Sequence, residues 1–94
     1  MTGEDADRFT VRITAPAIRA FGRMDAKVVD AVLAFIEGPL TANPMRVTKP
    51  LTGELEGKRS GYVGIAFRVL VEVDENQGIV WVLRVAHRAD AYRP

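Results

Sequence analysis

Apolar and polar residues alternate strictly in the stretch FTVRIT, where Phe9, Val11 and Ile13 are set against Thr10, Arg12 and Thr14. A period of two marks a strand with one buried face, so a first strand is predicted here. Pro16 follows directly, and proline is tolerated in a first helical turn because its missing N–H would be unpaired there anyway. A short helix from Pro16 to about Met24 is therefore expected. Asp25 suits a helix N-cap, and behind it Val28, Val29, Val32, Leu33 and Ile36 recur at helical spacing as far as Gly38-Pro39, a pair that ends helices. The two helices should form a hairpin. The periodicity then lapses. LTANPMRVTKPLTGELEGKRSG, residues 40–61, holds two prolines and three glycines and reads as a long loop leading into a strand near Lys58.

Alternation returns in AFRVLVEV, with Phe67, Val69, Val71 and Val73 on one face against Arg68, Leu70 and Glu72. DENQG supplies turn residues, and IVWVLRVAHR completes an antiparallel hairpin. Simple alternation in this last strand groups Ile79, Trp81, Leu83 and Val85 on one face, which places Trp81 in the core. Val80, Val82, Arg84, Ala86 and Arg88 fall on the other. The order β-α-α-β-β-β predicts an α+β domain: an N-terminal strand, a helical hairpin, then an antiparallel sheet of three further strands. Helices should cover one sheet face, leaving a second face that turns cationic toward Arg84, Arg88 and Arg68.

Composition narrows the chemistry. With 94 residues, 48% of them apolar, the chain is expected to make a single domain over 1–94 whose first eight residues are flexible. No apolar run approaches the roughly 18–20 residues of a membrane span, and the acidic start MTGEDADR lacks the features of a secretory leader. A cytoplasmic location without membrane association is the expectation. There is no cysteine and only one histidine. Disulfides, thiolate catalysis and a cysteine-based zinc site are thereby excluded, and neither a metal nor a cofactor is expected.

The net charge of +1 conceals an uneven distribution. Residues 46–71 carry five bases, Arg46, Lys49, Lys58, Arg59 and Arg68, against Glu54 and Glu56; the tail from Arg84 adds three against Asp90. Folded together, these stretches would form a positive patch able to hold a phosphate chain. The tail RVAHRADAYRP also gathers His87, Arg88 and Tyr92, an unusual density for a chain end. The plain structural alternatives are an ordinary exposed histidine, a solvated cationic face, and Arg68 paired with Glu54, Glu56 or Glu72.

Three segments carry a resemblance: NPMRVTKPLTGELEG (43–57), FRVLVEVDE (67–75) and VLRVAHRADAYR (82–93). In this order, after a strand and a helical hairpin, they resemble the RelE/ParE superfamily of toxins from bacterial type II toxin–antitoxin pairs. The resemblance implies a RelE-like ribosome-dependent mRNA endonuclease, with a ParE-like DNA gyrase poison as the alternative. A third possibility is a catalytically weak homologue that binds its antitoxin and modulates operator DNA as a complex. It also implies a cognate antitoxin, the ribosome and mRNA as partners, with operator DNA reached only through the antitoxin complex. RNA cleavage by 2′-OH attack needs a base, an acid and cations on the phosphoryl oxygens. His87 is the one side chain whose ordinary pKa suits proton transfer near neutrality. Arg88 lies beside it for the phosphate, Tyr92 can stack on a base, and Lys49, held between Thr48 and Pro50, is a further catalytic candidate. Arg46, Lys58, Arg59, Arg68 and Arg84 are the expected RNA-binding cations. The chain departs from the family where an arginine usually precedes the (Y/F)R pair: GYVGIAFR has Tyr62 or Val63 there. Val71 likewise stands where a tyrosine is usual.

Overall fold

The first strand, β1 (Thr10–Ile13), forms where the alternation begins. Its successor Thr14 makes no side-chain cap to the following helix. Instead its amide and its hydroxyl both donate to the Val82 carbonyl, at 3.0 and 2.8 Å. Helix α1 (Ala15–Phe21) then starts with Pro16 in its first turn, and α2 (Ala26–Phe35) follows Asp25, whose carbonyl receives the Val28 and Val29 amides. The computed structural model describes residues 8–90.

The predicted stop at Gly38-Pro39 does not occur. The chain passes from α2 into a π turn, Ile36–Leu40, that contains Pro39. Proline has no N–H to lose, and the wider turn accommodates it. The Thr41 hydroxyl donates to the Ile36 carbonyl at 2.6 Å, and the Asn43 amide to that of Pro39 at 2.9 Å. Ile36 and Leu40 are both buried, so packing against the sheet overrides the local breaker.

The expected long loop also contains regular structure. A helical turn, α3 (Pro44–Val47), is capped by the Asn43 Oδ1, which accepts from the Arg46 amide at 3.3 Å. It leads into β2 (Thr48–Pro50), a 3₁₀ turn at Gly53–Leu55, and β3 (Arg59–Val63). With β4 (Phe67–Asp74) and β5 (Ile79–His87) these make a five-stranded sheet ordered β1-β5-β4-β3-β2, one strand more than the periodicity indicates. β2 escapes a pattern search because it has three residues and ends on Pro50, which only an edge strand tolerates. β1 runs parallel to β5, and all other neighbours are antiparallel.

Register corrects the predicted faces of β5. Leu70 pairs with Arg84 but Val71 pairs with Val82, so Leu83 is an extra residue in β5. Such a bulge shifts the alternation by one. Val80, Val82 and Val85 accordingly all face the core, while Trp81, assigned there by simple alternation, lies on the opposite face and is 39% exposed. The Thr14 hydroxyl reaches the carbonyls of Val82 and Leu83, at 2.8 and 3.3 Å, which ties the end of β1 to the bulge.

The core lies between one sheet face and the helical layer: Val69, Val71, Val80, Val82 and Val85 meet Ala17, Val32, Ile36 and Leu40. Gly61 belongs to the same face, where a Cβ would stand 2.7 Å from the Phe35 ring. Among the described residues, no helix is long and apolar enough to cross a membrane.

Candidate functional site

Directly paired residues of a sheet share a face, so register defines what the side away from the core presents among the described residues. One row runs Lys49, Ser60, Leu70, Arg84 across β2, β3, β4 and β5; the next runs Tyr62, Arg68, Ala86. With strands about 4.8 Å apart, the ends of the first row are separated by about 14 Å. Ser60 and Leu70 form a buried floor, Lys49 is exposed and Arg84 is half-buried. Arg68 and Tyr62 face each other because GIA closes the β3–β4 hairpin symmetrically between them, with Gly64 at φ +62°. The Arg68 guanidinium lies 4.0 Å from the Tyr62 ring centroid, and its Nη1 donates to the carbonyls of Ile65 and Phe67 at 3.1 and 3.0 Å. This cation is therefore held in place before any ligand arrives.

The other sequence candidates are distributed differently. Arg59 pairs with Val71 on the helix side. Its Nε donates to the Thr48 hydroxyl at 2.8 Å and its Nη2 to the Thr48 and Met45 carbonyls at 2.8 and 3.3 Å. That guanidinium binds α3 to β2. Arg46 is exposed on α3, and Lys58, half-buried just before β3, accepts the Leu51 amide on its carbonyl at 2.9 Å. His87 pairs with Phe67, which puts it on the core side of the sheet end, exposed, with its ring edge-on to Phe67 at 5.7 Å. Its Nδ1 accepts the Ala89 amide at 3.2 Å, so the neutral imidazole carries its proton on Nε2. Arg88 is exposed one residue beyond β5, its amide donating to the Ala66 carbonyl at 2.6 Å. Tyr92 lies outside the described residues.

The fold thus brings Lys49, Arg68 and Arg84 onto one surface and sets Arg59 and His87 off it. Sequence reasoning saw Tyr62 only as a place lacking an arginine. Centring the hairpin on Ile65, the middle residue of the GIA turn, would have paired Tyr62 with Arg68.

Two concavities flank this surface. One, of about 380 Å³, is lined by Glu72, Val73, Asp74, Glu75, Asn76 and Trp81; its carboxylates would repel a polyanion. The other, of about 320 Å³, is lined by Phe35, Pro39, Arg46, Val47, Lys49, Ser60 and Tyr62, next to the cationic rows.

Residues 5–92 match the family described as the ParE toxin of the type II toxin–antitoxin system parDE. Toxin RelG of Mycobacterium tuberculosis is 41% identical over 85 residues, covering 90% of this chain and 97% of the relative. Toxin RelE of the same organism is 37% identical over 89 residues, covering 95% and 91%. Among solved structures, the toxin–antitoxin complex RelBE2 from M. tuberculosis superposes with a TM-score of 0.81 at 38% identity, over 86% of this chain and 99% of that one. The archaeal RelE–RelB complex from Pyrococcus horikoshii shares the fold, with a TM-score of 0.64 at 18% identity over 89% and 99% of the two chains. A match across almost the whole sequence, with relatives this similar over their full length, means that the chain belongs to the RelE/ParE family of type II toxin–antitoxin toxins.

Proposed function

We propose that the protein is a translation-inhibiting mRNA endonuclease that acts on ribosome-bound messages in the cytoplasm and is neutralised by a cognate antitoxin. Operator DNA is engaged only through the toxin–antitoxin complex. The observation that carries this reading is the placement of Lys49, Arg68 and Arg84 on one uncovered sheet face around Tyr62. The RelE and RelG names of the relatives, and the antitoxin complexes among the solved structures, support it.

In the proposed reaction the 2′-oxygen attacks the adjacent phosphorus, the bond to the 5′-oxygen breaks, and a 2′,3′-cyclic phosphate and a 5′-hydroxyl result. Negative charge grows on the phosphoryl oxygens as the new bond forms. Fixed cations there lower the barrier without reorganising. Arg68 is the cation best prepared for this, because Tyr62 and two carbonyls already immobilise it. It occupies the strand next to the one where the family arginine is missing, whereas Arg59 is engaged with Thr48 and Met45. Lys49 and Arg84 hold the flanking phosphates, with Arg46, Lys58 and Arg88 adding to the local field. His87 is the proposed proton carrier. His87 stands on the other face at the very end of β5, so to accept a proton at Nε2 its exposed side chain must swing round the strand end, change tautomer and release the Ala89 amide.

Inducing the full chain without antitoxin should arrest growth and leave new RNA 5′ ends inside ribosome-bound messages. Arg68→Ala together with Arg84→Ala should abolish both. Undamaged messages and normal translation, with DNA supercoiling inhibited instead, would establish the ParE-like gyrase reading and overturn this one.

A further inference from the structure

The cleft of about 320 Å³ beside the cationic rows has a composition that specifies its occupant. Two exposed cations, Arg46 and Lys49, line it and no carboxylate does, which calls for an anion. The rest of its wall is mainly apolar, with Phe35, Pro39, Val47 and Tyr62, which calls for a flat apolar group next to that anion. Tyr62 is 50% exposed, yet its ring is not loose. Arg68 lies 4.0 Å over it and is itself anchored to Ile65 and Phe67. Tyr62 lines the cleft and Arg68 does not, so the ring's contact with the anchored cation leaves it available to the cavity. An aromatic ring fixed on one side and open on the other is a stacking platform that has already lost its rotamer freedom.

We propose that this cleft is a nucleobase subsite. It takes one base of single-stranded RNA, stacked on Tyr62 opposite Arg68, with the adjoining phosphate on Lys49 and Arg46. The proposal rests on the endonuclease reading and adds to it a position that contacts a base where the open face contacts phosphate. The volume suits one nucleotide; an amphipathic helix would need a continuous groove for anchors at i, i+4 and i+7.

The test is an NMR titration of the full chain with adenosine and uridine 5′-monophosphates, ribose 5-phosphate, a short single-stranded oligoribonucleotide and an acidic leucine-containing peptide. Both nucleotides should shift Val47, Lys49 and Tyr62, and ribose 5-phosphate should leave Val47 and Tyr62 unmoved. Tyr62→Leu should weaken oligoribonucleotide binding about tenfold, the scale of one base–aromatic stack, while Tyr62→Phe stays within about twofold of wild type. Both changes are at an exposed position, and thermal melts of the two variants confirm that the fold is intact. Unchanged oligoribonucleotide affinity in Tyr62→Leu, alongside weaker binding in Arg84→Ala, overturns the subsite and leaves the nuclease reading standing. Absence of any nucleotide shift overturns the subsite too, and cleavage of ribosome-bound message, assayed in parallel, then decides the nuclease reading separately. Cleft shifts with the acidic peptide alone overturn the proposal in favour of an antitoxin segment.

Discussion

Gly61→Ala probes the closest approach between the sheet and the helical layer. Gly61 sits in β3 without a positive φ, so alanine fits its backbone. A new Cβ would stand 2.7 Å from Phe35 Cζ and 3.0 Å from Cε2. Carbon atoms make good contacts at about 3.5–4.0 Å, so the ring has to retreat by about 1 Å. Overpacking of this kind costs about 1–3 kcal/mol. Replacing a strand glycine returns about 0.5–1 kcal/mol through reduced unfolded-state entropy. The net expectation is a loss of up to about 2.5 kcal/mol, or a fall in Tm of up to about 20 °C for a domain of this size. Urea and thermal unfolding followed by circular dichroism would measure it. Leucine at position 35 lacks the ring edge, so the cost of Gly61→Ala should shrink by at least about 0.5 kcal/mol in a Phe35→Leu background. An alanine that stabilises the protein, or a cost identical in both backgrounds, would refute the reasoning.

Trp81 is the single tryptophan and lies on the uncovered face, so acrylamide should quench its emission in the folded protein and Trp81→Lys should still fold. Val82→Lys, burying an unpaired charge at a fully buried position, should cost several kcal/mol and prevent folding. Arg59→Met removes three hydrogen bonds from the α3–β2 junction and should cost about 1–3 kcal/mol, read by urea unfolding. Arg68→Ala, measured the same way, should change stability by less than about 1 kcal/mol yet lower cleavage by on the order of 10²- to 10³-fold. His87→Ala removes only an edge-on contact with Phe67 and one exposed hydrogen bond, so it should cost no more than about 1.5 kcal/mol of stability, and it should lower cleavage by on the order of 10²- to 10⁴-fold; a loss below about tenfold would mean that another group moves the proton.

What the sequence determined by itself was whatever depends on neighbours along the chain. Phe9, Val11 and Ile13 specified β1 through their alternation, Pro16 and Asp25 marked two helix starts, and the turn residues between Asp74 and Gly78 specified the last hairpin. The basic residues around Arg46 and Arg84, and the motifs that resemble the toxin family, were legible for the same reason. Tertiary structure decided everything that depends on a partner distant in sequence. Pro39 was accommodated because Ile36 and Leu40 gain more from burial than the turn loses. β2 exists because β3 supplies a ladder that three residues ending in proline cannot specify alone. Leu83 became a bulge next to Thr14, 69 residues earlier, whose hydroxyl reaches the carbonyls of Val82 and Leu83. That one-residue shift sent Trp81 to the open face and Val85 to the core, since the side-chain period of a strand is two. The candidate surface has the same origin. Lys49, Arg68 and Arg84 lie far apart in the chain, and only strand pairing makes them neighbours.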